Sequence, residues 1–449
     1  MSDRKRYAVV GLGSRSAMFT KALLGDYAEK NELVAFCDVN QTRMDYYNNK
    51  YSQEVEGYKP VATYKPDQFE KMIAEMKVDT VIVTSKDCTH HEYICRAMEA
   101  GCDAISEKPM TTDAQKCQQI LDTQVKTGKH LTVTFNYRYA PRNSKVRELI
   151  QAGEIGDVVS VHFEWLLNTK HGADYFRRWH RDKANSGGLM VHKATHHFDL
   201  VNWWIGSQPA KVFALGGLKF YGQENAKARG VTEFYERCHG SEVGLKDPFG
   251  LNMENNKELK GLYLDAEHED GYIRDQSVFG KGINIEDDMA VMVGYQSGAT
   301  MSYHLTAYSP WEGYRVAFNG TKGRLELFCQ ESAYVSGSDD DHNFARNVSG
   351  GSPYEVKEPT QLVLQHHWQK PILIDIPQSN AGGHGGGDAK LLRDVFEPGT
   401  PDPLKHAASH VDGAMSILTG IAANICFQTG QPVDIPSLVK FPEPEAACV

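Results

Sequence analysis

The sequence predicts an α/β fold built on two sheets, a parallel one first and a mostly antiparallel one after it. Over the first third, short apolar strands alternate with stretches of helical spacing, the pattern of βαβ units. After about residue 140 the rhythm becomes period-two alternation with tight turns, which marks a sheet open on one face or packed on a partner. A chain of 449 residues is also too long for one ordinary core and suggests two domains.

"YAVVGLG" reads as a buried strand ending in glycines, "SAMFTKALLGDY" as a helix, "ELVAFCDV" as the next strand and "QTRMDYYNNKY" as a polar helix. "VDTVIVTS" is a third strand, and "HHEYICRAMEAG" a helix that stops at Gly101. "DAISEKPM" is a short strand halted by proline, and "HLTVTFNYRY" another after a further helix. The helix "SKVRELIQAGEIG" then leads into the alternating strands "VVSVHFEWLL", "KVFALGGLKFY", "MAVMVGYQSGATMSYHLTAY" and "YRVAFNGTKGRLELF". Residues 221–285, acidic and weakly periodic, and "SGSDDDHNFARNVSGGSPYE" read as surface loops. The apolar "AASHVDGAMSILTGIAANICFQTG" reads as a final helix packing back on the body.

A net charge of −10 argues against nucleic-acid or anionic-membrane partners, which select for an excess of lysine and arginine. Nine cysteines without a CxxC pair read as reduced thiols of a cytoplasmic protein. The N-terminus carries no apolar segment of signal-peptide length, so neither secretion nor membrane insertion is expected.

"VVGLGSRSAMF" places Gly11 and Gly13 between a strand and a helix, where a tight turn lets a helix N-terminus hold a pyrophosphate. Ser16 stands where the full fingerprint has its third glycine. Asp38 ends the second strand, where a carboxylate would hold the ribose hydroxyls of NAD and repel a 2′-phosphate. Arg43 lies close enough to keep NADP open, and a helix N-cap is the competing role for Asp38.

At Glu107-Lys108-Pro109 these features join a recognisable series. The glycine turn, "SEKPM", "NYRYAPRNSKVRELIQAGEIGDVVSV", the "GG…H…FDL…W…G" helix and "GTKGRLEL" together resemble the Gfo/Idh/MocA oxidoreductases over most of the chain. The resemblance implies an N-terminal Rossmann domain, residues 1–136, and a C-terminal α/β domain with a large open-faced sheet, residues 137–449. It implies NAD or NADP as cofactor and a sugar or polyol as substrate. Lys108 would lie beside the nicotinamide and the substrate hydroxyl, polarising an alkoxide and relaying its proton. Ser14, Arg15, Ser16, Thr84, Ser85, His90, Glu107 and Asn136 join Gly11, Gly13, Asp38 and Arg43 as implied cofactor contacts. The loop "TSKDCTHH" departs from the family's usual proline- and asparagine-bearing form. Tyr137 and Arg138 are expected to face cofactor or sugar, or else to pack between domains.

"HKATHH" puts three histidines and a lysine into six residues. On one continuous helix His192, His196 and Asp199 would share a face. HxxxH suits a metal, but Lys193 stands where zinc-protease chemistry needs a glutamate, and further ligands such as Cys238, His239 or His268 are only candidates. No metal is expected. In the family pattern an aspartate precedes the histidine by four residues; His196 matches that histidine as acid–base group, and His192 replaces the aspartate. His192 and Lys193 are expected to contact substrate, whereas His197 and Asp199 read as structural. Upstream, Arg177, Trp179 and His180 offer polar forks and an aromatic plane suited to a sugar ring, and His384 sits in the glycine-rich "AGGHGGGD".

The leading expectation is therefore an NAD-dependent oxidoreductase acting on a secondary hydroxyl of a sugar, polyol or glycoside. Relatives with "GHGG" and a downstream aspartate like Asp388 suggest an alternative, an NAD-retaining glycosidase or 3-keto-glycoside-forming enzyme that oxidises C3 transiently. Its extra base would be His192, Lys193 or Tyr303. A non-catalytic NAD and sugar sensor is a third class. An open sheet face needs cover, so a homodimer or homotetramer is expected.

Overall fold

The computed structural model describes residues 4–335, 359–377 and 383–441; the second expected loop, residues 336–355, lies outside them. The chain opens with β1 (Lys5–Val10), α1 (Ser16–Leu24), β2 (Asn31–Cys37), α2 (Gln41–Glu54), β3 (Ala62–Tyr64) and α3 (Phe69–Met76). It continues through β4 (Thr80–Val83), α4 (His90–Glu99), β5 (Asp103–Ser106), α5 (Ala114–Thr127) and β6 (Leu131–Val133). These strands run parallel in the order β3-β2-β1-β4-β5-β6. The order reverses at β1, so the loops leaving β1 and β4 part and open a crevice at the carboxyl ends of the strands. Register sets Val10 beside both Cys37 and Val83, which brings the glycine turn, Asp38 and Thr84 to one edge.

The second half starts with α6 (Pro141–Gln151), β7 (Val158–Asn168), α7 (Thr169–Arg177), α8 (Lys183–Ser186), α9 (Leu189–His192), α10 (Thr195–Ile205) and β8 (Pro209–Gly217). Short helices α11 (Gln223–Ala228), α12 (Glu242–Lys246), α13 (Lys257–Leu262) and α14 (Glu267–Asp270) follow. The strands β9 (Asp288–Tyr295), β10 (Thr300–Ser309), β11 (Glu312–Gly320), β12 (Gly323–Ser332), β13 (Thr360–His366) and β14 (Ile372–Ile374) complete most of the second sheet. Then come α15 (Gly383–Phe396), β15 (Ala408–Ser409), α16 (His410–Thr429) and β16 (Val433–Asp434). The second sheet has nine strands, β14-β13-β12-β11-β7-β10-β9-β8-β16, antiparallel except where β7 meets β10. Val161, Phe163 and Trp165 bury one face of β7, with Trp165 stacked on His197 of α10 at 4.0 Å between ring centres. The other face leaves Leu215 63% and Met292 52% exposed along an open groove of about 520 Å³. The expected open-faced sheet is present.

Residues 221–285 are not the surface loop that their weak periodicity suggests. Leu251, Met253, Leu259, Leu262 and Tyr263 pack into the core that holds Tyr7, Phe19, Phe36 and Tyr47 of the first domain. Short helices of four to six residues carry too few turns to show a period, while their apolar residues still find a core. The glycine-rich "AGGHGGGD" likewise runs into a helix, α15, in which a side chain at Gly387 would come within 2.2 Å of the Asn136 carbonyl oxygen. Helix α16 packs back on the body as expected. It is apolar and long enough to cross a membrane, yet 67% of that stretch is buried inside the fold.

Candidate functional site

A cavity of about 660 Å³ follows the crevice from Asp38 and Arg43 past the glycine turn to Lys108 and His192. At one end the backbone dominates. Gly11 has φ +85°, and a Cβ there would lie 2.4 Å from the Ser85 backbone, so glycine alone lets the β1 and β4 loops approach. Thr84 Oγ1 donates to the Gly11 carbonyl at 2.6 Å, while Ser16 Oγ and the Tyr47 hydroxyl donate to that of Gly13 at 2.7 and 3.0 Å. With those carbonyls tied back, the turn and the start of α1 can present N–H groups to an anion. Ser16 thus shapes the turn and does not line the cavity, a correction to its expected cofactor contact.

Asp38 accepts from the backbone N–H of Leu12 at 2.5 Å and of Asn40 at 2.8 Å. The cap of α2 is Asn40, whose side chain accepts from the Arg43 N–H, so Asp38 is not the helix cap. Burial raises the Asp38 pKa, against the pull of Arg43 and the two backbone donors. Its carboxylate borders the cavity with lone pairs to spare for ribose hydroxyls. A glycine cradle, a helix N-terminus and a carboxylate beyond the second strand fit a dinucleotide.

At the other end charged side chains dominate. Lys108 follows β5, and its ammonium donates to the His192 carbonyl oxygen at 3.1 Å. Glu107 beside it accepts from Arg15 Nε at 2.7 Å. Burial pulls the Lys108 pKa down to about 8, with Asp87 and Glu107 opposing and Lys193 and Arg15 assisting. Asp87, on the loop after β4, shares a 2.5 Å hydrogen bond with His192 Nδ1. Burial raises the Asp87 pKa and lowers those of His192 and His180, so all three are pushed toward neutrality. His180 lies edge-on to His192, 4.2 Å between ring centres, and Trp179 stacks against His180. Lys193 sits over Trp165 and Tyr137, and burial lowers its pKa against the pull of Glu312 and Glu331. His196 meets the Tyr137 ring edge-on at 4.7 Å and borders the same cavity. His90 ties the β4 loop to the residue after Lys108, its ring nitrogens 3.0 and 2.8 Å from the carbonyls of Ser85 and Pro109.

The structure thus brings Lys108, His192, Lys193, His196, Tyr137, Trp179 and His180 to one cavity end, but not in the expected way. His192 and His196 do not share a helix. His192 closes α9, and a turn at Lys193–Ala194, where the Ala194 N–H reaches back to Leu189, precedes α10. Arg138 is not a sugar contact: it is 2% exposed and forks onto both oxygens of Asp199 while also reaching Asp412. Arg177 is buried too, donating to the Phe249 carbonyl at 2.8 Å; its neighbour Arg178 faces the cavity instead. Asn136 donates to Asp388 at 2.6 Å and lies outside the cavity lining, so it anchors α15 rather than cofactor. The Tyr303 hydroxyl donates to or accepts from His197 Nδ1 at 2.6 Å, away from this cavity, which excludes it as the extra base. His384 lies outside the residues whose side chains are described.

Other lining residues were not foreseen: Asp87, Arg178, His171, Tyr175 and, from residues 221–285, Tyr263, Asp270, Tyr272 and Arg274. Asp87 had a signal, an acid in the loop after the switch-point strand. His171 and Tyr175 form a second polar chain, with Glu312 Oε1 at 2.7 Å from His171 Nδ1 and the Tyr175 hydroxyl at 3.1 Å from Nε2. Asp87, His180 and His192 each offer a ligand atom within 4.8 Å of the others. Lys108 and Arg178 already act on Asp87 there, and a divalent ion would add to that positive field.

Residues 5–135 match the NAD-binding Rossmann fold of an oxidoreductase family, GFO_IDH_MocA, and residues 147–435 match that family's C-terminal alpha/beta domain. YteT of Bacillus subtilis (strain 168) is 35% identical over 437 residues, spanning 93% of this chain and 94% of YteT. Inositol 2-dehydrogenase of Rhizobium meliloti (strain 1021) is 27% identical over 209 residues, 46% of this chain and 57% of its own. Glycosyl hydrolase family 109 protein 1 of Akkermansia muciniphila is 25% identical over 197 residues, 42% of this chain and 40% of its own. In fold, the chain is similar to an oxidoreductase from Agrobacterium radiobacter solved with NAD+, L-tartaric acid and magnesium. The TM-score is 0.60 at 14% identity, covering 97% of this chain and 100% of that one.

Proposed function

The chain belongs to the Gfo/Idh/MocA oxidoreductase family and carries its NAD-binding Rossmann domain, and we propose that it oxidises a secondary hydroxyl of a sugar, polyol or glycoside. The observation that carries this reading is a buried lysine with a pKa near 8, set beside a carboxylate–imidazole pair at the end of a dinucleotide-sized crevice. The nicotinamide, when bound, supplies the two-electron acceptor. Gly11 and Gly13 would give its pyrophosphate side room to approach, Ser14 and Arg15 would line it, and Asp38 would hold the adenosine ribose. Lys108, partly neutral near pH 8, takes the hydroxyl proton, and the resulting ammonium stabilises the alkoxide. Asp87 orients His192, whose neutral ring borders the cavity as a hydrogen-bonding group beside the reacting hydroxyl. Trp179 supplies a plane for a sugar face, and Arg178, Lys193 and His196 supply donors around it.

A second reading has its own support. Glu312–His171–Tyr175 is a further proton-handling chain on the same cavity, more than a single oxidation requires. Redox-neutral glycoside cleavage needs such a second group to remove the proton on the carbon next to the transient carbonyl, whereas a 3-keto-glycoside formed without that elimination accumulates NADH like any oxidation. Incubating the protein with sugars, polyols and aryl glycosides, with and without NAD, separates the two. NADH accumulation supports the oxidation; aryl release without NADH supports cleavage; neither signal with NAD bound sinks both and leaves a sensor. The exposed Leu215 and Met292 on the open sheet support a homo-oligomer that covers this face, measurable by light scattering. Eight of the nine cysteines lie among the described residues and form no disulfide there, which supports a cytoplasmic protein.

A further inference from the structure

Residues 257–274 grip the nucleotide end of the cavity from the other half of the chain. Tyr263 places its hydroxyl 2.9 Å from the Ser14 backbone N–H, where it accepts, and 3.1 Å from Ser14 Oγ. Glu269 accepts from the backbone N–H groups of Gln41 and Thr42 at 2.6 and 2.7 Å, which begin α2, and from Thr42 Oγ1. Asn40 Nδ2 donates to the Ala266 carbonyl at 2.8 Å. The segment is therefore fastened to both the glycine turn and the start of α2.

Between these fastenings lies Arg43. Its Nη1 is 2.7 Å from Asp270 and 3.8 Å from Asp38, and its Nε donates to the Leu262 carbonyl at 3.0 Å. The guanidinium also lies 5.6 Å from the Tyr263 ring centre. Arg43 is 7% exposed, and its Nη2 has no hydrogen-bond partner among the described residues. An arginine after the second strand would ordinarily be free to pair with a 2′-phosphate. Here one cation faces two carboxylates, all three bordering the cavity, and the group is net negative.

We infer that residues 257–274 are a cofactor clamp whose Asp270 engages Arg43 and so selects an adenosine ribose without a 2′-phosphate. The inference rests on the NAD-binding site described above. A 2′-phosphate would have to sit against Asp38 and Asp270 or pull Arg43 from its partner. A free 2′-hydroxyl instead donates to Asp38, and the remaining Arg43 N–H can meet a neutral acceptor.

Calorimetric titration of nucleotide-free protein with NAD+ and NADP+ tests this without turnover. The unaltered protein should bind NAD+ at least about tenfold more tightly than NADP+. Asp270→Asn, which frees Arg43, should shrink that ratio about tenfold, chiefly by tightening NADP+. Glu269→Gln loosens the same clamp without touching Arg43, and should weaken both nucleotides while keeping their ratio within about twofold. Equal binding of the two nucleotides by the unaltered protein, an unchanged ratio in Asp270→Asn, or an equal shift in Glu269→Gln would each overturn the inference. Asp270→Ser, with a thermal melt, replaces Asp270→Asn if that variant does not fold. Binding of neither nucleotide would contradict the nicotinamide site itself, and the inference with it.

Discussion

The two ends of the cavity are built from different materials. Around the glycine turn the nucleotide end is mostly backbone: a glycine that can approach the next loop and carbonyls tied back beside the start of a helix. The substrate end is mostly titratable side chains drawn from separate segments: Asp87, Lys108, His171, Tyr175, His180 and His192. A backbone site depends on local order and shows as a short motif. A side-chain site depends on which distant segments meet: here His192 stands where the family resemblance implies a carboxylate, and Asp87, from the loop after β4, reaches its ring.

That contrast can be broken or sharpened by substitutions that strike one end and spare the other. Lys108→Ala should have the largest effect, a loss of about 10³-fold or more in kcat with NAD+ affinity within about twofold. Substantial residual turnover would remove Lys108 from the proton path. Asp87→Asn should lower kcat by about 10- to 100-fold, again with NAD+ binding retained. Because Asp87 holds the Lys108 pKa up, its loss should also move the alkaline-rising limb of the pH profile to lower pH. A uniform fall in rate with no displacement of that limb would make Asp87 merely structural. In the unaltered protein kcat/KM should rise with pH through about 8, since burial lowers Lys108 to that value and the neutral amine is the proton acceptor. Below pH 7 the rate should drop about tenfold per unit, and a flat profile would assign the base elsewhere. The smallest effect on turnover is expected from Arg138→Leu. It leaves Asp199 buried without its partner and should destabilise the fold by about 3–5 kcal/mol. At low temperature KM should stay unchanged, whereas a large rise in KM would return Arg138 to the substrate.

Much of the fold was legible because its signals are periodic. β1, β2, β4 and β7 to β12 alternate or run apolar over enough residues to be seen, whereas β3, β14 and β16, of two or three residues, are not, and β13 also escapes the sequence reading. Lys108 and His196 could be placed by resemblance, and Asp38 by its distance from the glycine turn. Arg138, open in the sequence between ligand and interdomain packing, and Arg177, expected at a sugar, both turn inward, because an arginine near a site reads alike whether it faces ligand or a buried acceptor. Only the placement of Asp199 on α10 and of the Phe249 carbonyl decides that. Tyr263 and Asp270 were invisible for another reason. They lie some 250 residues from Ser14 and 230 from Arg43, and no local pattern encodes such a meeting.

The two-residue strand β15 carries a consequence of its own. It pairs antiparallel with β6 at Ala408–Val133 and Ser409–Thr132, so the chain returns to its first sheet before β16 adds the last edge strand to its second. Phe396, nearby in sequence, packs against Tyr7 and Tyr27 of the opening segment. A fragment ending at residue 136 would therefore expose the backbone edge of β6 and an unfilled aromatic socket, and should self-associate rather than stand alone. The protein is a loop closed on itself in the sense of its contacts. The cut that best preserves it falls in a surface turn of the second sheet, such as Ser297–Gly298 between β9 and β10, and not at the seam between halves.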